Sequence, residues 1–424
     1  LVGNFTITEA VKDLTYHFLV LFFVLTHTVV LAKNIHVGPE KEHRSIRAAL
    51  LSAKDGDTIF VYHSLYKEGN IIINKKITMI GVDYPVIDGD KKFEVVSIKS
   101  DNVIFRGFHV QNSGYGTLND LGGIKVYDAA NIIIENNILE NNFFSIYINF
   151  GKNILIKNNK IRAYGIEEQQ IGNGIHCWKS DSLQIIGNHI QGHRDGIYFE
   201  FVTHSIIWRN ISRFNIRYGL HFMFSNDDAY INNVFDGNGA GVAVMYTKKV
   251  TMYNNTFKNS TGDASYGILL KEISDAEIVG NRFLSNTSAL FLEGANRIMI
   301  KKNVFLNNGW GLKIQANCME NVISQNNFIG NTFDVSTNGS LVLNKFDKNY
   351  WDKYEGYDLD KDMYGDIPFH PLNVYSFIIE NNPIAMLLFR SFMVTLLEKT
   401  EKLIPSITPE DFRDDHPLLK AYSL

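Results

Sequence analysis

An asparagine that returns at almost one period limits what this chain can fold into more than any other feature. Short runs of the form Ile/Phe-x-x-Asn-x-Ile/Phe place it at Asn136, Asn159, Asn188, Asn210, Asn233, Asn255, Asn281, Asn303, Asn326 and Asn344. The separations are 23, 29, 22, 23, 22, 26, 22, 23 and 18 residues. A second mark keeps the same step: a glycine followed by alternating apolar residues at Gly123, Gly174, Gly196, Gly219, Gly241, Gly267 and Gly311, with Ser145 and Ala289 in the two gaps. Two or three short β-branched runs per repeat suit one coil of a parallel β-helix, in which each strand stacks about 4.8 Å above its counterpart. A leucine-rich repeat has an overlapping period, but runs such as IVGNRF and IKKNVF lack its leucine consensus. The expected fold is all-β, a right-handed single-stranded parallel β-helix of about a dozen coils of 22–23 residues. The stacked asparagines form a structural ladder, since buried amides need partners.

The flanks divide the remaining length. Leu14 to Ala32 is apolar without Asp, Glu, Lys or Arg, follows Lys12 and ends with Val30 and Ala32. Residues 1–32 therefore read as a secretory signal, with an uncleaved anchor as the competing reading. Residues 33–56 supply a first strand and a short capping helix in SIRAALLSA (45–53), and residues 57–348 the β-helix. Residues 349–371 form an acidic and aromatic cap segment, and 372–424 a C-terminal helix with an extended tail. Asn382 and Pro383 suit a helix start, so one helix is expected over 383–404. Arg390 and the closing EKTEK weigh against a membrane span. A partner-docking surface of Pro383, Met386, Leu387, Arg390 and Met393 fits better.

Composition removes some functions. The 41 basic residues nearly balance 45 acidic ones, so no nucleic-acid stripe is implied. Cys177 and Cys318 stand some six coils apart, too far for a disulfide. A sugar hydrolase needs carboxylates converging on one site. Asp195, Glu200, Asp227 and Asp228 could meet only by loop folding, so no catalytic residues are assigned and no enzyme is expected. Asp358, Asp360 and Asp362 alternate with Asp366 four further on, a partial calcium-loop pattern that lacks the central glycine, Met363 standing there. Counting outward positions from each glycine puts His176, His221 and Met223, then Met245, on one face, with Met223 and Met245 on adjacent coils. Thioether and imidazole suit Cu(I), so His221, Met223 and Met245, with His176 as an outer member, make a candidate weak copper site. An ordinary amphipathic contact patch is the competing explanation.

The blocks RYGLHFMFSNDD (217–228), GVAVMYTKKVTM (241–252), YGILLKEI (266–273), NNGWGLKIQANC (307–318) and NYWDKYEGYDLDKD (349–362) occur in this order. With the endings ENNPIAMLLFRSFMVTLLE (380–398) and TPEDF (408–412), they resemble the NosD family of PbH1, or pectin-lyase-like, repeat proteins. The chain departs from the family at MYGD (363–366), where relatives commonly read like GIGD, which weakens the calcium reading. The resemblance implies a periplasmic accessory protein, held at the membrane through a partner, that serves maturation of the copper centre of nitrous oxide reductase. It would form the periplasmic part of an ABC transporter, with membrane and ATPase subunits, the reductase and a copper chaperone as partners, and copper as a transient ligand. A secreted carbohydrate-binding or carbohydrate-cleaving β-helix is the alternative.

Overall fold

Each β-branched run forms a short strand because alternate residues find a dry interior. Ile134, Ile156, Ile185, Ile207, Tyr230 and Met252 are in register on successive strands, and all are buried. The computed structural model describes residues 32–116, 120–165, 167–339, 343–403 and 412–423. All but Ala32 of the expected signal segment, and the stretch 404–411, lie outside the described residues. The strands form three parallel sheets of 14, 12 and 13 strands that share one interior over about 14 turns, a parallel β-helix as the asparagine period requires. The first sheet runs from Asn34–Val37 to Lys345–Asp347, the second from Ile71–Ile73 to Phe333–Ser336, and the third from Leu65–Tyr66 to Tyr350–Trp351. Strands of the third sheet contribute a column of stacked rings, Phe235, Phe257, Phe283, Phe305, Phe328 and Trp351, with centroids 5.3 to 4.2 Å apart.

The asparagine ladder occupies the turn between the first and third sheets. Asn255 is typical: its Oδ1 accepts from the backbone N–H and the side-chain amide of Asn233, at 2.9 and 3.0 Å. Its own Nδ2 donates to the Tyr230 carbonyl and to Asn281 Oδ1. The same pattern links Asn159, Asn188, Asn210, Asn233, Asn281, Asn303 and Asn326. Asn136 is not a rung. It is exposed with φ 55°, and Asn137 beside it donates to Asn159 Oδ1. The turn needs a left-handed residue immediately before each rung, which Asn158, Gly187, Asn232, Asn254 and Gly280 also provide. In an Asn-Asn doublet the first therefore makes the turn and the second the ladder. At the far end Asn326 bonds to Asn349, while Asn344 belongs to a neighbouring series that starts at Asn321.

Both ends are covered. Helix α1 (Ile46–Ser52), capped by Ser45, buries Ile46, Ala49 and Leu50 against the first coil. At the other end a helix α2 (Val374–Asn381) comes first, and the expected single helix over 383–404 is two pieces, a 3₁₀ helix (Pro383–Leu388) and α3 (Phe392–Leu403). Asn382 closes α2, and Arg390, at φ 62°, breaks the path before α3. Tyr375, Ile379 and Val394 pack on Phe333 of the last coil. The tail beyond residue 411, expected to be extended, returns to the β-helix. Phe412 is fully buried, and the Asp414 carboxylate accepts from Lys348 N, Asn349 N, Asn349 Nδ2 and Trp351 Nε1 at 2.9 to 3.0 Å.

Candidate functional site

The outer face of the second sheet carries the residues expected to meet copper. Parallel register sets Tyr147, His176, Tyr198 and His221 in one row and Trp178, Glu200, Met223 and Met245 in the next. Met223 and Met245 are direct lateral neighbours on adjacent strands, both half-buried, and the fully buried Ala243 is the neighbour of His221. Two thioethers one strand spacing apart, about 4.8 Å, can share one soft cation.

His221 is not an exposed member of this face, although its strand phase is outward. Its ring lies between those of Tyr198 and Tyr218, with centroids 5.0 and 4.7 Å away, and only 6% of the residue is exposed. Tyr218 precedes His221 by three residues on the same strand, and a count of alternating faces does not register such cover. His176 stacks on Tyr198 at 4.8 Å and takes a hydrogen bond from the Asn173 amide at Nδ1. Burial, with the nearby Arg194 charge second, lowers the His176 pKa to about 3, so the ring is neutral at physiological pH. Tyr198 joins the two rows: its ring packs on both histidines and its hydroxyl reaches Met223 Sδ at 3.7 Å and Glu200 Oε2 at 3.2 Å.

The acidic candidates separate. Asp195 is buried, with Oδ1 accepting from Tyr218 N–H at 3.3 Å and Oδ2 3.5 Å from His221 Nδ1. Asp228 is buried at another turn, where Oδ1 accepts from Ser205 N–H at 2.7 Å, and burial pushes its carboxyl up to about 8. Asp358, Asp360 and Asp362 bring carboxylate oxygens within 4.8 Å of one another, but Asp366 stands outside that group and accepts from Leu359 N–H instead. Asp358 already accepts from the N–H groups of Lys361, Asp362 and Met363, so this segment is a hydrogen-bonded acidic turn. Cys177 and Cys318 are free and buried.

Of the docking residues, Met386 is turned inward against the cluster around Phe333. Pro383, Leu387, Arg390 and Met393 are exposed, and Ile384 and Phe392, which the sequence reading did not select, are exposed by 74% and 79%. Leu387 is 86% exposed. A contiguous stretch this apolar marks an interaction site more often than a solvated surface. Among the described residues no helix is long and apolar enough to cross a membrane.

Fold and face together define a PbH1-type parallel β-helix with a methionine pair on its second sheet and an apolar helical end. Residues 163–356 match the model of the NosD family, described as a periplasmic copper-binding protein. The chain is 27% identical over 385 residues to a probable ABC transporter binding protein NosD of Pseudomonas aeruginosa, covering 86% of this chain and 89% of that one. It is 29% identical over 307 residues to a protein of the same description from Stutzerimonas stutzeri, covering 68% and 69%. Among solved structures it is similar to the catalytic unit of a GH87 α-1,3-glucanase from Streptomyces thermodiastaticus, with TM-score 0.58 and 12% identity over 72% of this chain and 65% of that one. At that identity the likeness is one of fold.

Proposed function

We propose that this chain is a periplasmic copper-handling accessory protein that works with an ABC transporter in maturing the copper centre of nitrous oxide reductase. The observation that carries the reading is the Met223 and Met245 pair, in register on one outer face of a chain whose residues 163–356 match a periplasmic copper-binding family model. The donor set fits the cargo: two neutral sulfurs favour Cu(I) over harder divalent ions and hold it weakly enough to pass on. The relatives' description as ABC transporter binding proteins supports the second half of the reading. The apolar end around Leu387 and Phe392 is the surface that would meet the membrane subunit. A reductase or a copper chaperone would then reach the methionine face from the side.

Cu(I) titration of the purified protein under reducing conditions, against a chromophoric chelator, tests the copper half. One ion per chain is expected, lost in the Met223→Leu, Met245→Leu double variant, whose similar side-chain volume preserves packing. Equal binding by that variant would remove copper from this face and leave it a protein contact surface.

A further inference from the structure

Buried polar atoms in folded proteins nearly always have partners, and a buried atom left without one costs about 1–3 kcal/mol. On the second sheet both ring nitrogens of His221 and the Asp195 Oδ2 are buried without a hydrogen bond. His221 precedes Met223 by two residues on one strand. Nδ1 faces Asp195 Oδ2 at 3.5 Å, a separation that a small side-chain adjustment closes into a hydrogen bond. Asp195 is well placed for that role. Its Oδ1 is held by the Tyr218 N–H and faces Arg217 Nε at 3.8 Å, so the carboxylate is oriented and its charge partly offset. With Nδ1–H turned to Asp195, the imidazole carries its lone pair at Nε2, the other orphaned atom.

We infer that Asp195 is a positioning residue which fixes the His221 tautomer so that Nε2 serves as a third, nitrogen ligand to Cu(I) held by Met223 and Met245. This rests on the copper reading above and adds to it a residue that touches no metal. The carboxylate behind a ligating imidazole is a general device for orienting the ring and raising its basicity, and its removal costs roughly 10 to 100-fold in metal affinity. His221 and Met223 are two residues apart on one strand and share its outward phase. Tyr198 lies against both, so the ligands are separated by one aromatic ring that would have to shift when the ion enters.

X-ray absorption and chelator competition on the Cu(I)-loaded full chain test this. The wild type should show two sulfur scatterers and one nitrogen. Asp195→Asn, nearly isosteric, and His221→Gln should each keep the sulfurs, lose or weaken the nitrogen signal and bind about tenfold less tightly. A purely structural Asp195 would lower the melting midpoint without changing the copper ligand set. Variants that retain the nitrogen and wild-type affinity would overturn the inference while leaving the methionine pair intact. A wild type with no sulfur scatterers would overturn the copper reading itself, and this inference with it. Should Asp195→Asn fail to fold, Asp195→Ser, which also removes the carboxylate, takes its place in the same measurements.

Discussion

Single side chains set the terms of stability here, and Asn255 shows how. Replacing it by Leu leaves Asn233 N–H, the Asn233 amide, the Tyr230 carbonyl and Asn281 Oδ1 each short of a buried partner. A loss of about 3 kcal/mol or more is expected in denaturant melts, and an unchanged midpoint would show that the rung carries no load. Asp228 acts in the opposite sense. Its folded carboxyl titrates near 8 against 3.8 for the free group, so between those values the folded state binds a proton that the unfolded state has released. Its contribution to stability is thus full below about pH 4 and lost as pH rises to about 8, at up to about 1.4 kcal/mol per unit. Asp228→Asn, whose amide oxygen can still accept from Ser205 N–H, should melt above the wild type at pH 8 and level with it at pH 4. The ladder and the methionine register were legible in the sequence because both follow from period and strand alternation. Burial of His221 was not, since Tyr198 and Tyr218 close over it by side-chain conformation.

At the level of elements, the closing tail carries more than its sequence announces. Nothing in its local pattern marks Asp414, yet it terminates the ladder from 65 residues away. Asp414→Ala would strand three buried donors on Asn349 and Trp351 and a fourth on Lys348, and a destabilisation of roughly 3 kcal/mol or more is expected in thermal unfolding. A melt within experimental scatter of wild type would mean that water can replace the carboxylate. A second series of asparagines was within reach of the sequence. Asn142, Asn215, Asn238, Asn286, Asn308 and Asn331 sit five residues beyond ladder rungs, and amide bonds link Asn215 to Asn238 and Asn286 through Asn308 to Asn331, with His193 N–H donating to Asn215 and Ser260 N–H to Asn286. The helix over 383–404 rests on the start residues Asn382 and Pro383 and on apolar spacing, neither of which reveals a left-handed residue such as Arg390.

For the whole molecule, the division of labour between the solenoid and its helical end can be tested without cutting the chain. Truncation at Glu380 would remove Phe412 and Asp414 with the helices and confound docking with stability. The variant Leu387→Ser, Phe392→Ser, Met393→Ser alters only exposed side chains and should leave the melting midpoint nearly unchanged. Membrane pull-down of that variant should recover little protein compared with the wild type. Equal recovery would assign this end to capping alone. The ladder itself has a polarity. Every rung passes its N–H groups to the next coil toward the C-terminus, so the last one presents donors only, and a carboxylate, which only accepts, is the natural stop. Any coil ending in the same asparagine would present that same unfinished edge. The number of coils can therefore change by duplication or loss of a repeat without any redesign of the end piece, which makes the length of such a protein adjustable to the distance its partners must span.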